Sequence, residues 1–224
     1  MKKIPQLKLK PNVFKDLRWG SHVPINSSIL KTFPISGVLE IGAGLNSTPL
    51  FFNNCSKVIS IENDQDWINK LRNENLIIEN DNHKLIHHEI PNKILRGTRR
   101  KDIPKNILDE AISFYKLFMT NDLNFLFVDG YAGFRLETLI QLHESFDVVA
   151  YHDAEPRHEY SYSYSLFKPS ENYVRLFDRT FDAHVGILIS KKFENLIPLF
   201  KENFKIEAEK YADKFNTEYK VFLE

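Results

Sequence analysis

The segment that most restricts the chain is Val38-Leu39-Glu40-Ile41-Gly42-Ala43-Gly44-Leu45-Asn46-Ser47-Thr48-Pro49. A short apolar run passes into a Gly-x-Gly turn and then into helix-starting residues, the form of a strand-turn-helix unit that binds a ligand at its turn. Gly42 and Gly44 let the backbone bend and come close to that ligand. Ser47 or Thr48 is expected to cap the following helix, with Pro49 in its first turn.

From Gly37 onward, short apolar runs alternate with helical stretches, which is the signature of βαβ units and a mainly parallel sheet. Strands are expected over Val38 to Ile41, Val58 to Ile61, Leu85 to His88, Phe125 to Val128 and Val148 to Tyr151. Helices are expected over Asp66 to Leu71 and Arg135 to His143, where Trp67, Ile68 and Leu71, then Leu136, Leu139 and Ile140, fall at helical spacing. Tyr173 to Phe177 and Val185 to Ile189 are β-like and joined by the short link Asp178 to His184, so they are expected to pair antiparallel at one sheet edge. Phe193, Leu196, Ile197 and Phe200 continue at helical spacing, and the strand-like end Tyr219 to Leu223 stays unassigned.

A chain of 224 residues with 42% hydrophobic content fits one domain with extensions at ~150 residues per domain. The expected divisions are a lead-in over 1–36, a ligand-binding domain over 37–190 and an extension over 191–224 packed on the same domain. In the lead-in, Trp19 to Pro24 precede Ser27 and Ser28, one of which is expected to cap a short helix before Pro34. Thirty basic and thirty acidic residues cancel, so no basic excess favours nucleic acid as the main partner. The single cysteine, Cys55, excludes an internal disulfide and any Cys-rich zinc site. Pro5, Lys8, Lys10 and Pro11 interrupt any signal-like apolar region, and no run reaches the ~18 to 20 apolar residues of a membrane span. The expectation is a soluble, cytoplasmic protein with no membrane partner.

In dinucleotide-binding folds a third small residue lets the helix lie near the strand and places a pyrophosphate on the helix N-terminus; Ser47 takes that position here. Glu40 changes the ligand, because a carboxylate two residues before the first glycine repels a pyrophosphate but accepts hydrogen bonds from a cationic or polyol group. Glu62 ends the second strand 22 residues after Glu40, close to the ~20-residue offset at which an acidic residue meets ribose hydroxyls. Two further strand ends carry carboxylates, in Val128-Asp129-Gly130 and Tyr151-His152-Asp153. Ligands of open parallel sheets bind outside the carboxyl ends of the strands, so Glu40, Glu62, Asp129 and Asp153 are expected to line one crevice. Asp129 equally fits a turn or cap before the Arg135 helix. Arg96, Arg99, Arg100, Lys101 and Lys105 around Gly97 fit either a solvated loop or a clamp for an anionic substrate.

Glu40-x-Gly42-x-Gly44 and the acidic Glu62 at a strand end make the stretch from Gly37 to Ile189 resemble the class I S-adenosylmethionine-dependent methyltransferases. The resemblance implies a Rossmann-like three-layer α/β sandwich with a mainly parallel seven-stranded sheet and an antiparallel edge hairpin. It implies S-adenosylmethionine as cofactor, its methionine part near Gly42, Ala43 and Gly44 and its ribose on Glu62. The cofactor-binding candidates are Glu40, Gly42, Ala43, Gly44, Ser47, Thr48, Glu62 and Asp129. After the third strand the family often places a polar or acidic adenine contact, and Ile86-His87-His88-Glu89-Ile90 offers no clean match.

Methyl transfer to a hydroxyl needs alignment and a base or a metal to take up the acceptor's proton. The catalytic candidates are Asp129, His152 and Asp153. His152 titrates near neutrality, while a pair of aspartates could instead hold Mg²⁺ through oxygen ligands. A buried, structurally bonded His152 is the competing reading.

The segment His152-Asp153-Ala154-Glu155-Pro156-Arg157-His158-Glu159 also resembles the glucuronoxylan O-methyltransferases and related bacterial proteins, with His152, Asp153, Arg157 and Glu159 as matching positions. That likeness implies a carbohydrate or uronic-acid acceptor. Tyr160, Tyr162, Tyr164 and Phe167 fit either an edge strand or a lid stacking on sugar rings. The leading expectation is methylation of a hydroxyl on a small polar, saccharide-like molecule. Its competitors are methylation of a small amine, a non-catalytic nucleoside-binding or scaffold protein of the same fold, and an NAD-dependent oxidoreductase. Glu40 and the lack of a third glycine count against the last.

Overall fold

The computed structural model describes residues 20–91, 94, 98–181, 183–215 and 219–224. Residues 1–19 of the lead-in, Trp19 among them, and Arg96 and Gly97 of the basic segment lie outside the described residues.

Seven strands, β1 (Gly37–Ile41), β2 (Lys57–Glu62), β3 (His83–His87), β4 (Phe125–Val128), β5 (Val148–His152), β6 (Tyr173–Asp178) and β7 (Val185–Ser190), form one sheet in the order β3-β2-β1-β4-β5-β7-β6. The first five are parallel, and β7 runs antiparallel to both β5 and β6. β1, β4 and β5 are buried at every residue. Continuous apolar runs form such strands because helices cover both faces. The expected Rossmann-like three-layer sandwich with its antiparallel edge is the architecture observed.

Alternate strand residues divide between the two faces. Val38, Phe125, Phe127, Val148 and Ala150 pack beneath α1 (Val23–Thr32), α2 (Ser47–Asn54), α3 (Gln65–Asn73) and a long C-terminal helix over Ile197–Phe215. Leu39, Ile41, Leu126, Val128, Val149 and Tyr151 pack beneath α4 (Lys105–Lys116) and α5 (Ala132–Leu142). α4 was not anticipated, although Leu108, Ala111, Ile112 and Tyr115 bury one helical face. α3 begins at Gln65 because the Asp64 carboxylate accepts from the amides of Asp66 and Trp67.

Neither Ser27 nor Ser28 caps a helix. α1 starts earlier, after His22, and the Ser28 hydroxyl donates to the Pro24 carbonyl inside it at 2.7 Å. The strand-like tail runs along the outer edge of β6, with Phe177 N donating to Glu224 O and Arg179 N to Phe222 O, each at 2.8 Å. No described helix is long and apolar enough to cross a membrane.

Candidate functional site

β1 delivers the glycine turn to the carboxyl edge of the sheet, directly against the end of β4. Gly42 has φ +94°, and a β-carbon there would lie 2.3 Å from the Gly130 nitrogen, so the turn requires glycine. The Asp129 amide donates to the Ile41 carbonyl at 2.8 Å, and the Gly42 amide donates to Ile61 at 2.8 Å. The turn, the Asp129 strand end and the end of β2 are therefore one hydrogen-bonded unit.

Glu40 lies beneath the turn, wholly buried. Its Oε2 accepts from the hydroxyls of Thr48, at 2.8 Å, and Ser60, at 2.5 Å, while Thr48 Oγ1 accepts from the Gly44 amide at 2.9 Å. Burial pushes the Glu40 carboxyl up to about 8, against the pull of the Ser47, Ser60 and Thr48 hydroxyls. Among the described residues, Oε1 is buried with no hydrogen bond of good geometry, and so is the Ser47 hydroxyl. The capping expectation for Ser47 and Thr48 is not met. Asn46 is the cap residue of α2 and makes no side-chain cap bond, while Ser47 and Thr48 already lie in the first turn, where the Thr48 hydroxyl is committed to Glu40 and Gly44.

Glu62 ends β2 nearly buried, its Oε1 accepting from the amides of Asn63, at 2.8 Å, and Asp64, at 2.9 Å. Burial pushes this carboxyl up to about 7. Trp67 Nε1 donates to the Ala43 carbonyl at 2.7 Å and ties α3 to the turn. Beyond β3, the His88 amide donates to the Glu62 carbonyl at 2.8 Å and its ring stacks on Phe114 with centroids 4.3 Å apart. The sequence offered no choice in this stretch. Phe114 could not be paired with it without knowing that α4 exists.

The ends of β4 and β5 meet at Arg135, which the sequence places only as the start of a helix. Its Nε donates to the Gly130 carbonyl at 2.7 Å, and Nη1 to His152 O at 3.2 Å and Asp153 Oδ2 at 2.9 Å. Nη2 donates to Asp129 O at 3.0 Å and lies 2.9 Å from Asp129 Oδ1. The guanidinium also sits 4.6 Å over the Tyr162 ring. Tyr162 donates to Asp153 Oδ2 at 3.1 Å, and Tyr164 donates to His152 O at 3.1 Å. Asp153 itself has φ +56°, a left-handed conformation that aims its carboxylate back at Arg135.

His152 is buried with Nδ1 3.2 Å from Asp129 Oδ1 and 3.5 Å from Asp153 Oδ1, and Nε2 2.9 Å from the Ser21 hydroxyl. Burial alone would lower its pKa, but the Asp129 charge and hydrogen bond outweigh it and hold the ring above its ordinary value. Burial likewise opposes ionisation of Asp129, yet His152 and Arg135 keep its carboxyl far below the usual range. Asp129 is not a helix cap. Tyr131 holds that position and makes no side-chain cap bond. His22 was not singled out from the sequence, and its ring stands edge-on to His152 with centroids 4.8 Å apart.

Asp129 and Asp153 do not fit a Mg²⁺ ion held between them. The Arg135 guanidinium already bridges the two carboxylates, and its charge occupies the place the dication would need. The edge-strand reading of the tyrosine segment is overturned, and the lid reading keeps Tyr160 alone. Residues 156–166 form short helical turns with no strand, and Tyr162, Tyr164 and Phe167 are buried. Tyr160, 70% exposed, is the member of the set that faces solvent, where its hydroxyl accepts from Arg99. In the basic segment, Arg99 pairs with Asp102 at 2.5 Å and Arg100 with Glu137 at 2.7 Å. Among the matching positions of the local likeness, Arg157 pairs with Glu155 at 2.9 Å and Glu159 accepts from the Ser165 amide at 3.0 Å.

Among solved structures, the chain is similar to an O-methyltransferase from Bacillus cereus in complex with SAH, at 12% identity and TM-score 0.49, over 84% of each chain. It is similar to an rRNA methylase from Streptococcus thermophilus at 9% identity and TM-score 0.48, over 82% of this chain and 98% of that one. A third similarity is to a precorrin-6y C5,15-methyltransferase from Geobacter metallireducens, at 11% identity and TM-score 0.45, over 81% of this chain and 93% of that one. No family model and no curated protein matches the chain. At such identities and TM-scores these likenesses carry no argument on chemistry, which rests on the residues of the site.

Proposed function

We propose that the chain is an S-adenosylmethionine-dependent methyltransferase acting on a hydroxyl of a small polar acceptor. The observation that carries this reading is the seating of Gly42 on Gly130, which brings the glycine turn beside the Asp129-His152-Asp153-Arg135 cluster at one sheet edge. When bound, the cofactor would supply a methyl group on a sulfonium, which is transferred to an acceptor oxygen as the carbon–sulfur bond breaks and S-adenosylhomocysteine leaves.

The residues fit that cofactor. The Gly42-Ala43-Gly44 turn admits a close backbone approach by its methionine part, and Glu40, Ser47 and Thr48 brace the turn from below. Glu62 accepts from the ribose hydroxyls, and the stacked His88 and Phe114 rings give the adenine a flat wall. Asp129 fixes the His152 tautomer with the proton on Nδ1, which leaves Nε2 to receive the acceptor's proton by way of the Ser21 hydroxyl. The Asp129 carboxylate then balances the imidazolium.

A hydroxyl acceptor is favoured over an amine because Arg135 offsets one of the two charges of Asp129 and Asp153, which weakens the anionic field that would attract an ammonium group. A saccharide is the finer reading, supported by the likeness of residues 152–159 to the glucuronoxylan enzymes and by the solvent-facing Tyr160. The test is transfer of labelled methyl to matched panels of hydroxyl and amine compounds, uronic acids included. Label on hydroxyl compounds is expected. Label on amines alone contradicts the reading, and so does a protein that binds cofactor but labels neither panel.

A further inference from the structure

We propose that His22, Asp129 and His152 form a binding site for a divalent transition-metal ion of the Zn²⁺ or Co²⁺ type. One ligand atom from each of the three lies within 4.8 Å of the others. His22 is 2% exposed, and among the described residues neither of its ring nitrogens has a hydrogen-bond partner. A buried imidazole with both nitrogens unpaired is costly, and coordination of a metal ion by one of them relieves part of that cost. The described polar contacts of the Asp129 side chain all fall on Oδ1, and one of its carboxylate oxygens is the third ligand atom of the cluster.

The donor set decides the ion. Two imidazoles and one carboxylate suit Zn²⁺ and Co²⁺ and not Mg²⁺, which requires oxygen ligands in near-ideal octahedral geometry. Zn–N bonds of ~2.0–2.1 Å need ligand atoms closer together than the observed limit. His22 supplies the movement, since no hydrogen bond holds its ring. This site differs from the gap between Asp129 and Asp153, which Arg135 fills. An ion here takes the lone pair of a His152 nitrogen, so a loaded site and a proton-accepting His152 exclude one another. The inference does not depend on the methyltransferase reading, because its readout needs no cofactor.

The test is titration of the tag-free, full-length protein with Co²⁺, followed by its visible absorption, with Zn²⁺ and Mg²⁺ as competitors. One Co²⁺ per chain is expected, displaced by Zn²⁺ and not by Mg²⁺. His22→Phe keeps the ring and its packing but removes both donors, and should weaken binding by at least ~10-fold. His22→Cys puts a shorter thiolate donor on the same backbone position and should add a sulfur-to-cobalt charge-transfer band, which reports the contact even if the phenylalanine variant fails to fold. Co²⁺ binding that is equal in His22→Phe, absent from the wild type or without the new band in His22→Cys overturns the inference.

Discussion

His152 Nδ1 lies 3.2 Å from Asp129 Oδ1, while the other ring nitrogen meets the hydroxyl of Ser21. The carboxylate favours the cationic ring, so a base acting at His152 must work against a raised pKa. Activity should fall as pH drops through a midpoint above the ordinary ~6.5. In Asp129→Asn the larger raising charge is gone, and burial and Arg135 then oppose the weaker pull of Asp153. The kcat-pH profile of that variant should have its midpoint at lower pH than the wild type, with a lower plateau. Unmoved midpoints would remove His152 from the role of base.

Arg135 joins two strand ends through two carboxylates and three carbonyls. Arg135→Met leaves those groups buried and without their cation, a loss of about 3–5 kcal/mol. For a chain of this size that is a fall of roughly 6–20 °C in melting temperature. Arg135→Lys should recover only part of it, because an ammonium cannot reproduce the planar fork. Thermal melts of the three proteins decide this, and a loss below about 2 °C in Arg135→Met would show the bridge to be dispensable.

Much of this frame was legible in the sequence, for definite reasons. The strands buried on both faces betray themselves as apolar runs, so Glu40, Glu62, Asp129 and Asp153 could be assigned to strand ends along one sheet edge, while the burial of Glu40 beneath the turn could not. α4 was hidden because its apolar face begins only at Leu108, just after a basic run that reads as loop. Arg135 carried one overlooked signal: a lone arginine flanked by Phe134 and Leu136 on a helix that faces the sheet. The Tyr162 and Tyr164 assignment failed because alternation fixes neither strand nor lid when a left-handed residue, Ser163 at φ +56°, breaks the segment. The approach of Ser21 and His22 to His152 spans about 130 residues, and no local pattern encodes it.

The buried Glu40 gives the fold a pH dependence of known sign. Its carboxyl is raised to about 8, so the folded state favours the protonated form. That contribution is complete below the unfolded value near ~4.3 and is lost as pH rises through about 8, at up to ~1.4 kcal/mol per unit within the window. Glu40→Gln carries no charge to bury, so its stability relative to the wild type should improve steadily from pH 5 to pH 8. Denaturant melts across that range give the comparison. A constant difference between the two proteins would mean that Glu40 is ionised throughout.

The two glycines of the turn should respond differently. In Gly42→Ala the new methyl meets backbone 2.3 Å away at Gly130, on a φ of +94°. In Gly44→Ala the nearest atom is the Ser47 hydroxyl at 2.7 Å, the end of a short side chain that can rotate away. The first substitution should weaken S-adenosylhomocysteine binding by at least ~10-fold or unfold the turn, at a strain of about 1–3 kcal/mol. The second should cost less, and equal losses in calorimetry would contradict this reading of the turn.

The most direct measurement is isothermal titration of the dialysed protein with S-adenosylhomocysteine beside NADH, repeated on Glu62→Ala. Binding of S-adenosylhomocysteine alone, weakened at least ~10-fold when two ribose hydrogen bonds lose their acceptor, is the expected result. Binding of NADH instead, or of neither compound, or equal affinity in Glu62→Ala, would contradict the assignment of the crevice to this cofactor.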